Sequence, residues 1–591
     1  MNRTINIFLL ITSFLLSLVA YSQNKPETQV KKGATETQSK KGGRPVPIAN
    51  TGNKPIVEAN KGTAKDNFEI GNYKDAITEY TLLLKKDSLN SLYNMNLGIC
   101  YLSTNIDKSL SIKYLERAIT DPKVDPKAWY ELGHAYLINY RLDDAIKTFE
   151  AYKKLHDTPK DALKIPTERM IEMCEQAKKS IKTPLNVTFE NLGPKINSPF
   201  PDYNPFVPAD ESFLVYTSRR AGTTGDFIDF DGYNTADVFV AFQKYEKWSK
   251  SKSIGIEINT ELVEETVGLT PDGSSLFISV DNYMASNIVL VSKIKGKIFQ
   301  KPELLMDNII SKDIEKSAIM SPNKKMIIIS SDRNFDKEGM NLYISRILPT
   351  GEWGPTENIP ELNTKYDECF PYFASDGKTL YFCSQGHNSI GGFDVFKSIW
   401  DEKTNTFSEP VNLGYPINTT DDDKTICFSK TGRYAYISAL RKEGYGDLDI
   451  YRAVFKDINP TYSILSGTLI NKDSINLFGI NNIIEKDTTT NTTDITDYLE
   501  QASDSVNDEI IFIKNVDITV TDVATQKKFG KYFPNKYTGK FLIALPPGEY
   551  DLTVKADRYN KYTENIKVLE KSVNSEIFKN IILSNDTSET K

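Results

Sequence analysis

Four aspartates, Asp226, Asp229, Asp231 and Asp237, fall within the stretch GDFIDFDGYNTAD. Oxygen-rich turns of this kind hold Ca²⁺, because a hard divalent cation takes carboxylate and carbonyl oxygens as ligands. Their spacing fits no standard calcium loop, so the stretch reads either as a calcium site or as a solvated acidic loop. The cysteines are Cys100, Cys174, Cys369, Cys383 and Cys427, and none stands at the close spacing a zinc site uses. If the Asp-Gly turn in FASDGKTLYFCSQG is centred on Asp376, Cys369 and Cys383 lie opposite each other across a hairpin. There they would form a disulfide or stay as two buried free thiols. The run Gly386 to Gly392, with His387, invites a phosphate-cradle reading. No helix follows it to offer free amides, so it reads as a loop whose glycines permit positive φ. The chain holds three histidines, His134, His156 and His387, and none stands in a His-Glu-x-x-His pair or beside a nucleophile elbow. No catalytic or cofactor-binding residue is assigned, and neither a cofactor nor enzymatic activity is expected.

The elements that carry these residues are repeated units. Five phrases share a strand, a tight turn and a second strand: FVPADESFLVYTSRR, GLTPDGSSLFISVD, IMSPNKKMIIISSDR, FASDGKTLYFCSQG and FSKTGRYAYISALR. Their turn positions, Asp210, Asp272, Asn323, Asp376 and Thr431, are 62, 51, 53 and 55 residues apart, which leaves room for four short strands per unit. The fourth strand falls in phrases such as Phe407 to Gly414 and Trp353 to Ile359, each ending near an Asn-Thr pair. Four-stranded units repeated around an axis lose their open edges by closing a ring. A β-propeller of five blades, with six possible, is therefore expected over 183–458, closed by Val187 to Gly193. On this reading Gln385 to Gly392 lies at a rim open to a partner.

Upstream, residues 61–157 carry a repeat of 34 to 35 residues. Trp129, Leu132, Gly133 and Tyr136, then Ala145 and Phe149, alternate large and small side chains as two closely packed antiparallel helices require. Gly98 with Leu97 and Tyr101, then Leu115 and Ala118, repeats the pattern, and Ala64, Ala76 and Tyr80 repeat it again. The segment 165–181 adds an amphipathic capping helix, so an α-solenoid is expected over 61–182. From Ser463 to 585, alternating strands separated by Thr-Gly and Pro-Pro-Gly turns describe a small antiparallel β-sandwich, interrupted by an acidic, flexible insertion at 478–510. The fold class is thus multidomain α and β.

The helical unit resembles the tetratricopeptide repeat, with Asn60 and Asn94 standing where its leading Trp falls in the first two copies. The strand phrases look like the WD40-like repeats of the propeller in the periplasmic TolB protein, whose hallmark is a Pro-Asp-Gly turn before an alternating strand. Over Asn515 to Val568 the last segment resembles the carboxypeptidase regulatory-like domain, a name that implies no peptidase activity. In this order the modules resemble a family of envelope proteins associated with type IX secretion and gliding. The resemblance implies a non-enzymatic scaffold that binds outer-membrane or periplasmic proteins through the groove of its helical repeats and the face of its propeller. Full-length relatives add an OmpA-like domain that holds peptidoglycan, and many begin with a lipid-modified cysteine. Neither feature is found here, so direct attachment to the wall is not expected. A protein that binds a small ligand or glycan at the propeller face is the alternative reading. Peptidases that carry propellers also carry an α/β hydrolase domain, for which the segment after the ring leaves no room.

Residues 1–22 combine Arg3, the apolar run Ile7 to Val19 and the small-residue site Ala20-Tyr21-Ser22, as a secretory signal does. A run of thirteen residues is too short to span about 30 Å of hydrocarbon. Residues 23–60, rich in Lys, Thr, Gly, Asn and Pro, read as a disordered linker. The net charge of −7 gives no reason to expect nucleic acid. The mature protein is expected in the periplasm or at the outer membrane, with the cell surface as the alternative, and without a membrane span.

Overall fold

The computed structural model describes residues 48–49, 60–155, 165–244, 247–281, 287–305, 309–333, 339–474, 476–478, 515–535, 538–570 and 576–586. The expected signal, most of the linker, His156 and the insertion beyond Phe478 lie outside the described residues. Within the linker, Ile48–Ala49 pair antiparallel with Phe227–Ile228, so this part of a segment expected to stay unpaired adds a short strand to a propeller loop.

The helical part consists of α1 (Lys61–Ile70), α2 (Tyr73–Lys86), α3 (Ser91–Leu102), α4 (Leu110–Ala118), α5 (Lys127–Ile138), α6 (Leu142–Leu155) and α7 (Thr167–Ser180). Asn60, Asn72 and Asn90 cap α1, α2 and α3 by accepting a backbone N–H of the first turn. Asn94 is buried, its amide donating to the carbonyls of Ser88 and Asn90. The small positions are set by contact across each hairpin. A Cβ on Gly98 would lie 2.6 Å from Leu115, and one on Gly133 would lie 2.6 Å from the Phe149 ring. Helices this close need glycine at the crossing.

Among the described residues, five antiparallel sheets follow. Asp202–Phe206, Glu315–Met320 and Glu368–Phe373 begin the first, third and fourth, Val263–Leu269 the second and Ile426–Phe428 the fifth. In each, the strand after the tight turn is the second of the sheet, and a third strand lies beyond it. Val187–Asn191 pairs with Asp449–Phe455, so the strand that precedes the first sheet completes the fifth.

The innermost strands meet in succession. Thr266 Oγ1 donates to the Asn204 carbonyl, and a Cβ on Gly268 would lie 2.3 Å from the Ala318 carbonyl oxygen. The Phe370 N–H donates to Ser317 Oγ, the Tyr372 hydroxyl to the Phe428 carbonyl, and the Val207 N–H to Cys427 Sγ. This succession returns to its start, and the fold is a β-propeller. Two apolar clusters fill it, one around Tyr216, Tyr436 and Tyr451 and one around Phe277, Phe382 and Phe396.

Beyond Ser463, two sheets share one core of Leu465, Ile518, Ile543, Leu552 and Val554. One sheet is mixed rather than wholly antiparallel, because Glu576–Phe578 and Ile581–Ile582 run parallel to Ser463–Ile470. The chain leaves Tyr562–Val568 in the other sheet and crosses over, and such a crossover permits a parallel neighbour where a hairpin does not. Arg433 of the fifth blade pairs with Glu570 of this region.

Candidate functional site

The Asn-Thr pairs that recur in the sequence build the junctions between blades. Asn197, Asn259, Asn363 and Asn418 each use both ends of the amide on one residue of the preceding blade. The N–H groups of Ile450, Val238, Leu342 and Val395 donate to the Asn Oδ1 at 2.7 to 2.9 Å, and Asn Nδ2 donates back to the carbonyl at 2.8 to 3.0 Å. The side-chain amide thus stands in for a strand neighbour. The next residue, Ser198, Thr260, Thr364 or Thr419, donates both its N–H and its hydroxyl to a carboxylate four residues on: Asp202, Glu264, Glu368 or Asp423. The third blade keeps Ser311 and Glu315 but has Ile310 in place of the Asn.

Asp202, Glu264, Glu315 and Glu368 are buried at one face of the ring and Asp423 is half-buried, and arginines answer some of them. Arg220 reaches Asp202 at 2.6 Å and Arg333 reaches Glu315 at 3.0 Å. The fourth blade has Gly386 at the matching position. Burial pushes Glu264 and Glu368 up to about 7, and Asp394 at the start of a third strand also up to about 7. Asp423 is raised well above the carboxylate range, first by burial and then by the nearby Asp394 charge.

The helical stack lies on this face. Arg169 of α7 donates to the carbonyls of Gln385 at 3.0 Å and Gly386 at 2.8 Å, where the fourth blade lacks its own arginine. Asn105 Nδ2 donates to Asp447, whose other oxygen accepts from Tyr233. Lys108 pairs with Asp421, Thr420 Oγ1 donates to the Ile138 carbonyl, and Lys74 Nζ donates to the Gly232 carbonyl. The turns α1–α2, α3–α4 and α5–α6 therefore all face the ring. Gly232, at φ 82°, would place a Cβ 2.8 Å from Asn72 Oδ1, so this approach also requires glycine.

The loop 385–392 is not an open rim. Ser389 and Ile390 are buried, and Ile390 belongs to the apolar core of the helices. Its glycines serve close packing, since a Cβ on Gly386 would lie 2.2 Å from Thr364 and one on Gly391 2.5 Å from the Thr420 backbone. His387 Nε2 donates to the Leu362 carbonyl, and burial lowers its pKa below the ordinary histidine value. His134 lies on α5, 3.7 Å from Glu131.

The four aspartates of the first-blade loop do not share one centre. Asp229 and Asp231 clasp Arg219 at 3.3 and 2.5 Å. Asp237 accepts from the Thr224 N–H and hydroxyl, both at 2.9 Å, and Asp226 is exposed at φ 49°. Among the described residues no three His, Cys, Asp or Glu side chains converge as metal ligands.

Cys369 and Cys383 are register partners, both buried thiols. A bulge brings them opposite. Tyr372 pairs with Tyr381, which would set Cys369 against Ser384 had the register not shifted between Cys369 and Tyr372, where Phe370 takes φ 50°. Burial raises Cys100 well above its usual value and pushes Cys174 and Cys427 up to about 12.

Sequence reasoning missed Arg169, Arg219, Arg220 and Arg333. The arginine two places after the second strand, in TSRR and SSDR, was a readable signal, as was its replacement by Gly in CSQG.

No protein-family model and no curated protein matches the chain. Among solved structures it is similar to TolB from Acinetobacter baumannii, at 15% identity over 49% of this chain and 70% of that one, with a TM-score of 0.28. A putative TolB from Agrobacterium tumefaciens is similar at 14% identity over 46% and 97%, TM-score 0.25. A structure described as a glycoside hydrolase is similar at 10% identity over 48% and 95%, TM-score 0.33. The propeller assignment rests on the strand pairing given above. Among the described residues no helix is long and apolar enough to cross a membrane, which says nothing of strands that cross as a barrel.

Proposed function

We propose that the chain is an exported, non-enzymatic scaffold of the cell envelope, in which tetratricopeptide-type repeats, a five-bladed propeller and a regulatory-like sandwich form one binding body. The observation that carries this reading is the docking of the helices on the propeller face through Arg169, Asn105 and Lys108. Linked interaction modules with a fixed mutual orientation present partners at set distances, which is what a scaffold needs. Its proposed partners are outer-membrane or periplasmic proteins, of type IX secretion or gliding machinery by resemblance. They would use the helical groove and the propeller face that carries the Asp-Gly turns, since helices cover part of the other. Crosslinking in intact cells followed by mass spectrometry tests the reading. Links from residues 61–182 to envelope proteins are expected, and a chain that remains in the cytoplasm or links to no envelope protein would overturn it.

A further inference from the structure

We infer that the outer edge of the first two blades docks on a membrane surface bearing anionic lipid headgroups. Two stretches of sequence, 242–253 and 291–304, hold eight lysines, Lys244, Lys247, Lys250, Lys252, Lys293, Lys295, Lys297 and Lys301, against two glutamates, Glu246 and Glu303. All eight lysines are exposed. This excess of positive charge sits in a chain whose net charge is −7.

The two sets form one patch. Lys252 of the first blade and Lys297 of the second both stand over the Phe242 ring, at 6.0 and 4.9 Å, and the Phe213 and Phe299 rings meet across the junction at 5.7 Å. Lys293 pairs with Glu303. Lys247, Lys250, Lys252, Lys295, Lys297 and Lys301 have no carboxylate partner among the described residues.

Two features select a lipid surface over a soluble polyanion. The lysines lie on outer strands and hairpin turns at the periphery of the ring, which suits an extended flat partner. In their midst Ile298, paired with Lys295 just past the Gly296-Lys297 turn, is 66% exposed, and Leu304 is 54% exposed. Basic side chains beside exposed aliphatic ones match the headgroup and acyl boundary of an anionic bilayer. This inference stands apart from the scaffold reading and survives its failure.

The test is co-sedimentation of the chain without residues 1–22 with vesicles of mixed phosphatidylglycerol and phosphatidylcholine, and with vesicles of phosphatidylcholine alone. Binding is expected to the mixed vesicles only and to weaken with salt. The variant Lys247→Glu, Lys252→Glu, Lys295→Glu, Lys297→Glu should bind about several hundredfold more weakly, since each lysine near such a surface contributes about fivefold and four are removed. Ile298→Ser, which keeps every charge, should also weaken binding. The basic linker is the same in every arm, and unchanged thermal unfolding confirms that the variants fold. Equal binding to both vesicle types, or undiminished binding by the fourfold variant, would overturn the inference. So would binding to dextran sulfate without binding to vesicles.

Discussion

Arg169 reaches from α7 into the fourth blade and holds two backbone carbonyls with one guanidinium. Arg169→Ala leaves both carbonyls buried without that donor, and a loss of about 2 to 3 kcal/mol in urea unfolding is expected. Arg169→Lys should recover only part, because an ammonium lacks the planar fork. Glu368 makes the opposite kind of contribution. Its folded pKa, about 7, stands above the ordinary carboxylate value, so its stabilising protonation is complete below about pH 4 and lost as pH rises through 7. Glu368→Gln should therefore flatten the fall in melting temperature between pH 5 and pH 8, and gain stability relative to the native chain at pH 8. A melting temperature that falls as steeply in the variant would show that Glu368 is ionised throughout. The reading of Gln385 to Gly392 as an open rim went wrong for a reason found at single positions: glycine serves a mobile turn and a buried close approach equally well, and Gly386 and Gly391 do the second.

The repeated element is a strand hairpin tied to its neighbour by an amide. Asn418→Ala would leave the Val395 N–H and carbonyl without their partner, at a cost of about 2 kcal/mol measured by denaturant unfolding. The same substitution at Ile310 removes no such bond and should cost only packing. In the helices, Gly133→Ala sets a methyl against Phe149 and should cost about 1 to 3 kcal/mol, more than an alanine at an exposed helical position, where it would stabilise. The period of the strand phrases, their Asp-Gly turns and the Asn-Thr pairs were all legible, because each is a local requirement met by adjacent residues. The bulges were not. They appear as register shifts at Tyr203/Phe206, Glu315/Ser317 and Cys369/Tyr372, and a bulge has no residue type that marks it.

Across the described residues, the helices cover part of one propeller face. A chain lacking residues 61–182 would uncover Ile390 and leave Asp421 without Lys108. It should melt lower than the full chain and bind a hydrophobic dye, and a fragment that melts at the same temperature would show the helices to be loosely held. By itself the sequence determined periodicity: helical spacing in the stretches that form α1 to α7, and strand alternation with tight turns in the stretches that form the sheets. Those properties follow from side-chain periodicity along a short stretch, and any fold containing the stretch must respect them. Only the tertiary structure decided what each loop faces. Arg169 and the carbonyls it holds are 216 and 217 residues apart, and Asn105 and Asp447 are 342 apart. Contacts at such separation leave no trace in local pattern, because each partner satisfies its own neighbourhood equally well as a solvated polar residue. Even at short range the pairing is a matter of tertiary structure: the first-blade loop reads from sequence either as a calcium site or as a solvated acidic loop, and the folded chain sets Arg219 against Asp229 and Asp231.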